Sequence, residues 1–263
     1  MSNNKYTTSF FRENFPEWKR KKDPFVLRHF IRPLSFYGAS FCAKCGIQAN
    51  TVSYVSGILA LVACSLFLLP YHVCHIIAAS LFTIWIYMDC IDGNLARSVK
   101  KQPFGIFADA ISSYMLVGFM GVCIGFATFN EGGLIIDAGN PWIILIGGLA
   151  SSCDTMMRLM YHKYEEAHQD LIKLGIMPDE KNEHTDINNV GNWKIRIEHE
   201  FGIDGFIPIL VLICAIFQIL DIAVIFFICY YGSAFCVTYF TYVRKAMKNT
   251  NIYQNKFLEI LNQ

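Results

Sequence analysis

Charged residues are scarce in this chain of 263 residues. Asp, Glu, Lys and Arg make up 16% of it, hydrophobic residues make up 54%, and the mean hydropathy is +0.36. Soluble globular domains carry about 25% charged residues. The composition therefore excludes an ordinary soluble domain and indicates a membrane protein.

Two further patterns are missing. A charged region of about 45 residues precedes the first long apolar run, so the amino-terminal segment does not match a secretory signal peptide. Cys42 and Cys45 have metal-ligand spacing, but no second such pair completes a set of four ligands, which argues against structural zinc. We expect the other cysteines, most of them inside apolar runs, to act as small hydrophobic residues.

The sequence instead contains long apolar runs. The length of each run is close to the roughly 20 residues that a helix needs to cross a bilayer. The predicted spans are 51–70, 72–89, 104–129, 141–160, 203–220 and 222–243. We predict an all-α, polytopic membrane protein with six transmembrane helices. Its parts are an amino-terminal segment 1–45, a membrane domain 46–245 with a loop at 161–202, and a tail 246–263.

Basic residues are distributed unevenly between the two sides of these spans. All 22 Lys and Arg residues lie in the following ranges: 5–44, 97–101, 158–196 and 244–256. Because basic residues favour the cytosolic side, we expect both termini there, together with the end of the second span. A five-span topology would put basic clusters on both sides.

The amino-terminal segment 9–40 mixes aromatic and basic side chains. This pattern favours an interfacial amphipathic helix on an anionic leaflet. The alternative is a solvated basic tail.

Three acidic residues lie at the edges of the second and third apolar runs. Asp89 and Asp92 are three apart and share a helix face, while Gly105, Asp109 and Ser113 are spaced by four along the next helix. Carboxylates in a membrane segment are costly, so they indicate a functional site. Mg²⁺ or Mn²⁺ fits such a site, since these ions prefer oxygen ligands and often share them with substrate phosphates.

Small residues and one arginine lie among these carboxylates. Gly93, Ala96 and Gly105 allow a diphosphate, or simply a neighbouring helix, to approach closely. Arg97 offers a planar fork for phosphate, and it also fits the positive-inside pattern.

Read together, the stretch is D-x2-D-G-x2-A-R-x7-G-x3-D-x3-S. It resembles the signature of the CDP-alcohol phosphotransferases, D-x2-D-G-x2-A-R followed by G-x3-D-x3-D, with Ser113 in place of the last aspartate. A second stretch, Gly46 to Ser53, is similar to the family's G-I-x-P-N-x-[IV]-[ST] pattern, with Ala49 in place of proline and Asn50 retained.

The resemblance implies a reaction and its participants. A CDP-linked donor, such as CDP-diacylglycerol or a CDP-amino alcohol, would pass a substituted phosphate to a lipid or small polar acceptor and release CMP. Asp89, Asp92 and Asp109 would be metal ligands, with Gly93, Ala96, Arg97, Gly105 and Asn50 near the nucleotide. A homodimer in the lipid bilayer is expected from the resemblance alone, and no nucleic acid partner is expected.

Ser113 stands where the family has an aspartate proposed as general base. A serine hydroxyl does not accept a proton near neutral pH, and loss of a general base costs about 10²–10⁴-fold in rate. Three explanations stay open: another residue is the base, the acceptor is already ionised, or the protein binds nucleotide without turnover.

A replacement base could come from the long 161–202 connection. Its end carries Glu198, His199, Glu200 and, just beyond, Asp204, and His199 titrates nearest neutrality. The alternative is a solvated helix end with Asp204 as a cap. Asp154 and Arg158 are an i,i+4 pair that either stabilises the membrane helix or presents Arg158 to an anionic acceptor.

Three functions are consistent with these patterns. The first is the transferase. The second is a catalytically silent relative that binds nucleotide or acts as a membrane scaffold, as Ser113 suggests. The third, a small transporter, would need polar groups and broken helices at the bilayer midplane, whereas the carboxylates lie near one membrane face.

Overall fold

The structure, a computed structural model, describes residues 5–178, 202–203 and 205–261, and within these ranges every regular element is helical. Four amino-terminal pieces come first: α1 (Thr8–Glu13), α2 (Glu17–Lys22), a π-helical turn (Leu27–Ile31) and α3 (Arg32–Lys44). The expected single amphipathic helix is therefore broken into shorter ones. Proline cannot donate a backbone hydrogen bond inside a helix, so it interrupts one. Pro16 is the amino-terminal cap of α2, and Pro24 precedes the π-helical turn.

The outer face of α3 is apolar. On α3, Phe36 and Ala39 are buried, whereas Leu34, Tyr37 and Phe41 are each more than half exposed. This apolar outer face suits an interfacial position, which stays a prediction.

The membrane domain consists of α4 (Ala49–Phe67), α5 (His72–Ser98), α6 (Gly105–Glu131), α7 (Trp142–Lys173), α8 (Ile207–Ile216) and α9 (Leu220–Leu261). Five of these, all except α8, are long and apolar enough to cross a membrane, which confirms a polytopic membrane protein. The predicted span at 203–220 is shorter in the structure. Its helix has 10 residues, about 15 Å at 1.5 Å per residue, because the chain turns at Gln218, with φ 56°, into α9.

Small residues bring the helices close together. A Cβ on Gly121 of α6 would collide with the carbonyl oxygen of Gly147 on α7, and the reverse substitution would collide equally. Gly121 N–H also donates to Ser151 Oγ at 2.9 Å. Around this crossing a core of large side chains is fully buried, including Trp85, Phe67 and Phe227. α4 packs against both α5 and α6, and this packing places the carboxyl half of α5 beside the start of α6.

Candidate metal and nucleotide site

Three carboxylates meet where α5 passes the start of α6. Asp89 and Asp92 lie one turn apart on α5 and Asp109 lies on the second turn of α6, and one oxygen from each lies within 4.8 Å of the others. Asp92 is buried, Asp89 half-buried and Asp109 exposed. Like charges this close repel one another unless a cation offsets them. Their oxygens are the hard donors that Mg²⁺ and Mn²⁺ prefer, so the residues fit such an ion.

A hydroxyl from a third helix orients the buried carboxylate. Ser53 of α4 donates to Asp92 Oδ2 at 2.6 Å and both side chains are buried. Partners of this kind hold a ligand in its coordinating orientation. Ser53 closes the second family-like stretch of the sequence, yet sequence reasoning gave it no role.

A cavity of about 600 Å³ opens beside the carboxylates. Its lining includes Asp92 and Asp109 together with five residues expected near the nucleotide: Asn50, Gly93, Ala96, Arg97 and Gly105. Lys101 and Gln102 also line it, although the sequence did not single them out. The volume lies within the roughly 300–1,000 Å³ typical of small-ligand sites, and two basic side chains at its wall suit a diphosphate.

Asn50 fixes the loop that leads into α6. Its Nδ2 donates to the carbonyl oxygen of Pro103 at 2.9 Å, and its backbone N–H donates to Gln102 Oε1 at 3.0 Å. Gln102 Nε2 in turn donates to Gln48 Oε1 at 2.6 Å. The loop ends at Phe104, a non-glycine residue with φ 58°, and such strain persists only where surrounding contacts impose it. These contacts set where α6 begins and thus where Asp109 lies.

Arg97 folds back over Gly93. A Cβ on Gly93 would come 2.9 Å from Arg97 Nη2, so the absence of a side chain leaves room for the guanidinium. Nη2 also donates to Asn94 Oδ1 at 3.3 Å. The guanidinium carbon lies 5.8 Å from the ring centre of Phe15, a residue of the amino-terminal segment. Arg97 is thus aimed at the cavity by both its own helix and that segment.

Ser113 lies one turn beyond Asp109 on α6. It is half-buried and is not among the residues that line the cavity, and within the described part of the chain its hydroxyl forms no hydrogen bond. The adjacent Ser112 is engaged in packing, since it accepts from Trp85 Nε1 at 2.9 Å and bonds Ser56 Oγ at 2.7 Å. The position that carries an aspartate in the family signature therefore does not line the cavity.

Arg158, another expected participant, does not line the cavity. Arg158 Nε donates to Asp154 Oδ2 at 2.7 Å, and its guanidinium carbon lies 6.0 Å from the ring centre of Tyr114. Asp154 is 1% exposed, so Arg158 balances a buried charge. The candidate base His199 and its neighbours Glu198, Glu200 and Asp204 lie outside the described residues.

Comparison with known proteins agrees with the motif. Residues 47–176, which contain the three carboxylates and the whole cavity lining, match the family model described as CDP-alcohol phosphatidyltransferase. No curated protein matches the chain. Enzymes of this family are transferases that use CDP-linked alcohols and generally depend on a divalent metal. Through the segment 47–176, the chain belongs to the CDP-alcohol phosphatidyltransferase family.

Proposed function

We propose that this protein transfers a substituted phosphate group from a CDP-linked donor to an acceptor, with release of CMP, in the synthesis of phospholipids or related head groups. The observation that carries the proposal is the convergence of three carboxylate oxygens within 4.8 Å, with Asp92 and Asp109 in the wall of a cavity of about 600 Å³. CDP-diacylglycerol and CDP-amino alcohols are the donor classes to test.

Each group in the cavity has a part in this scheme. Asp89, Asp92 and Asp109 would hold Mg²⁺ or Mn²⁺, and the bound ion would offset negative charge on the phosphates and on departing CMP. Arg97 and Lys101 would bind the diphosphate oxygens. Gly93 leaves room for the Arg97 guanidinium, Gly105 leaves the backbone open to close approach by the nucleotide, and Ser53 holds Asp92 in orientation.

The test is CMP release by purified protein with Mg²⁺ or Mn²⁺, each donor class and a panel of acceptors. We expect Asp109→Asn to abolish release. Its matched control is Asp137→Asn, which neutralises an exposed carboxylate after the opposite end of α6 and should leave release unchanged. Equal activity in Asp109→Asn and the parent protein would contradict the site.

Ser113 favours a second candidate, a silent relative that binds CDP compounds without turnover, because its side chain does not line the cavity. Measurable binding of a CDP compound with no CMP release from any donor and acceptor pair would establish this alternative.

We expect Ser113→Ala to keep CMP release within about threefold of the parent protein if the protein is a transferase, since a hydroxyl is not a base near neutral pH. The comparison is made at saturating metal and donor. A loss of a hundredfold or more would instead assign the hydroxyl a direct part in the reaction.

A further inference from the structure

A second, smaller cavity lies within the amino-terminal segment. It has a volume of about 230 Å³ and shares no lining residue with the metal cavity. Its charged lining comprises Arg12, Arg20, Arg28, Arg32 and Asp23. The volume is below the roughly 300–1,000 Å³ of sites that hold a whole small molecule, so it suits one functional group of a larger ligand.

Positive charge exceeds negative charge in this arginine pocket. Its carboxylate, Asp23, is 2% exposed and already accepts two hydrogen bonds from Arg32, at 2.8 and 3.1 Å. Lys19 lies a further 3.6 Å from the same carboxylate. The nearby Glu17 pairs with Lys21 at 2.9 Å. The charges of Arg12, Arg20 and Arg28 thus have no matching carboxylate in the lining.

Two guanidinium nitrogens of the pocket lack hydrogen-bond partners among the described residues. They are Arg32 Nη1 and Arg28 Nε, and Arg32 is 5% exposed. Both groups are held in place by their other nitrogens, since Arg28 Nη2 donates to the carbonyl oxygens of Lys21 and Asp23 at 2.7 and 2.9 Å. Buried polar groups almost always have partners. Fixed, unpartnered and positively charged donors indicate a bound anion.

The planar geometry of guanidinium groups favours phosphate as that anion, because two N–H donors match two phosphate oxygens. The pocket also lies beside large exposed apolar side chains of the same segment, Phe25 and Phe30, which are 59% and 61% exposed. We propose that the arginine pocket binds a phosphate monoester or diester group, separately from the nucleotide diphosphate. The group belongs either to a phospholipid head group or to a soluble phosphate compound.

One side chain joins the two sites. The ring centre of Phe15 lies 5.0 Å from the guanidinium carbon of Arg32 and 5.8 Å from that of Arg97. Phe15, which lines the arginine pocket, therefore lies against a residue that lines the metal cavity. Because the pockets share no lining residue, the inference stands whether or not the transferase reaction occurs.

The test measures thermal unfolding of the full-length protein, since a ligand that binds the folded state stabilises it by RT ln(1 + [L]/Kd) and so raises Tm as its concentration exceeds Kd. Inorganic phosphate is titrated at constant ionic strength, with chloride as the reference, in nanodiscs of phosphatidylcholine or of phosphatidylcholine with phosphatidic acid. The variant is Arg12→Gln with Arg20→Gln. The side chains of Arg12 and Arg20 are exposed, and replacing them leaves the buried pair of Arg32 and Asp23 unchanged. The control is Arg244→Gln with Lys248→Gln, which removes two exposed charges on α9.

We expect the Tm of the parent protein to rise with phosphate concentration as RT ln(1 + [L]/Kd) requires, and the Kd of phosphate to be about tenfold or more higher in the Arg12 and Arg20 variant. If phosphate raises Tm equally in the two kinds of nanodisc, the occupant of the pocket is a soluble phosphate compound. Stabilisation by phosphatidic acid that removes the response to phosphate identifies a lipid head group. The proposal is overturned if neither phosphate nor phosphatidic acid stabilises the parent protein more than this variant.

Discussion

At the scale of single residues, the site depends on short contacts between helices that are far apart in the sequence. Asp92 is both buried and hydrogen-bonded by Ser53, whereas Asp109 is exposed at the start of α6. The three carboxylates therefore differ in how firmly each is held. We expect Asp92 to be the most rigid ligand.

The hydroxyl of Ser53 gives a direct test of this arrangement. Ser53→Ala removes the donor to Asp92 Oδ2 and should weaken Mn²⁺ binding by about 10–100-fold, as for other partners of metal ligands. The Kd is measured by titration followed by electron paramagnetic resonance. Ser65→Ala is the control, because Ser65 lies on the same helix and bonds only the carbonyl oxygen of Leu61. An unchanged Kd in Ser53→Ala would show that Asp92 needs no such support.

Gly93 provides the second prediction at this scale. Gly93→Ala would displace the guanidinium of Arg97, the mobile end of a long side chain, so Tm should change little. Affinity for a CDP compound should fall by about tenfold or more, as expected for the loss of a charged hydrogen bond. Gly118→Ala is the control, since nothing lies within 4 Å of the added Cβ. Equal affinity in the two variants would exclude Arg97 from nucleotide binding.

At the scale of helices, the crossing of α6 and α7 has the least room for change. The carbonyl oxygens of Gly121 and Gly147 each occupy the space that a Cβ on the other residue would need. Backbone atoms cannot rotate away as a side chain does. The two helices would have to separate to accept any larger residue at this crossing.

Gly147→Ala tests the crossing. We expect a loss of about 1–3 kcal/mol, the usual cost of overpacking, seen as a lower Tm. Gly148→Ala is the matched control, because the nearest atom to its added Cβ is Val122 Cγ2, at 3.9 Å. If both variants have the parent Tm, the two helices lie farther apart than in this structure.

At the scale of the whole molecule, the distribution of basic residues predicts that both termini and the metal site lie on the cytosolic side. The loop between α5 and α6 holds Lys100 and Lys101, whereas Glu131 ends α6 and Asp137 lies in the loop between α6 and α7.

This orientation is tested by labelling intact cells with a membrane-impermeant maleimide. Asp137→Cys should be labelled above the background of the parent protein, and Lys100→Cys only after the cells are opened. Both positions are exposed in the structure, so a difference in labelling reports the side of the membrane and not burial. The reverse pattern would invert the topology.

The periodicity of a helix was enough to predict that Asp89 and Asp92 share a face, and the hydropathy pattern predicted the long helices. Other features required tertiary contacts. The shortness of α8 depends on the turn at Gln218, and no composition signal marks that turn. Phe15 lies between Arg32 and Arg97 only because the amino-terminal segment packs against α5, so the arginine pocket had no signal in the sequence beyond its basic residues.

The two longest helices have a practical consequence for imaging. α9 has 42 residues and extends about 63 Å, roughly twice the 30 Å hydrocarbon core of a bilayer. Its carboxyl half packs on the end of α7, where Asn249 Nδ2 donates to the hydroxyl of Tyr164 at 3.1 Å. In electron micrographs the carboxyl ends of α7 and α9 would project from the detergent belt on one side. A 30.0 kDa particle would then carry its own asymmetric landmark for alignment.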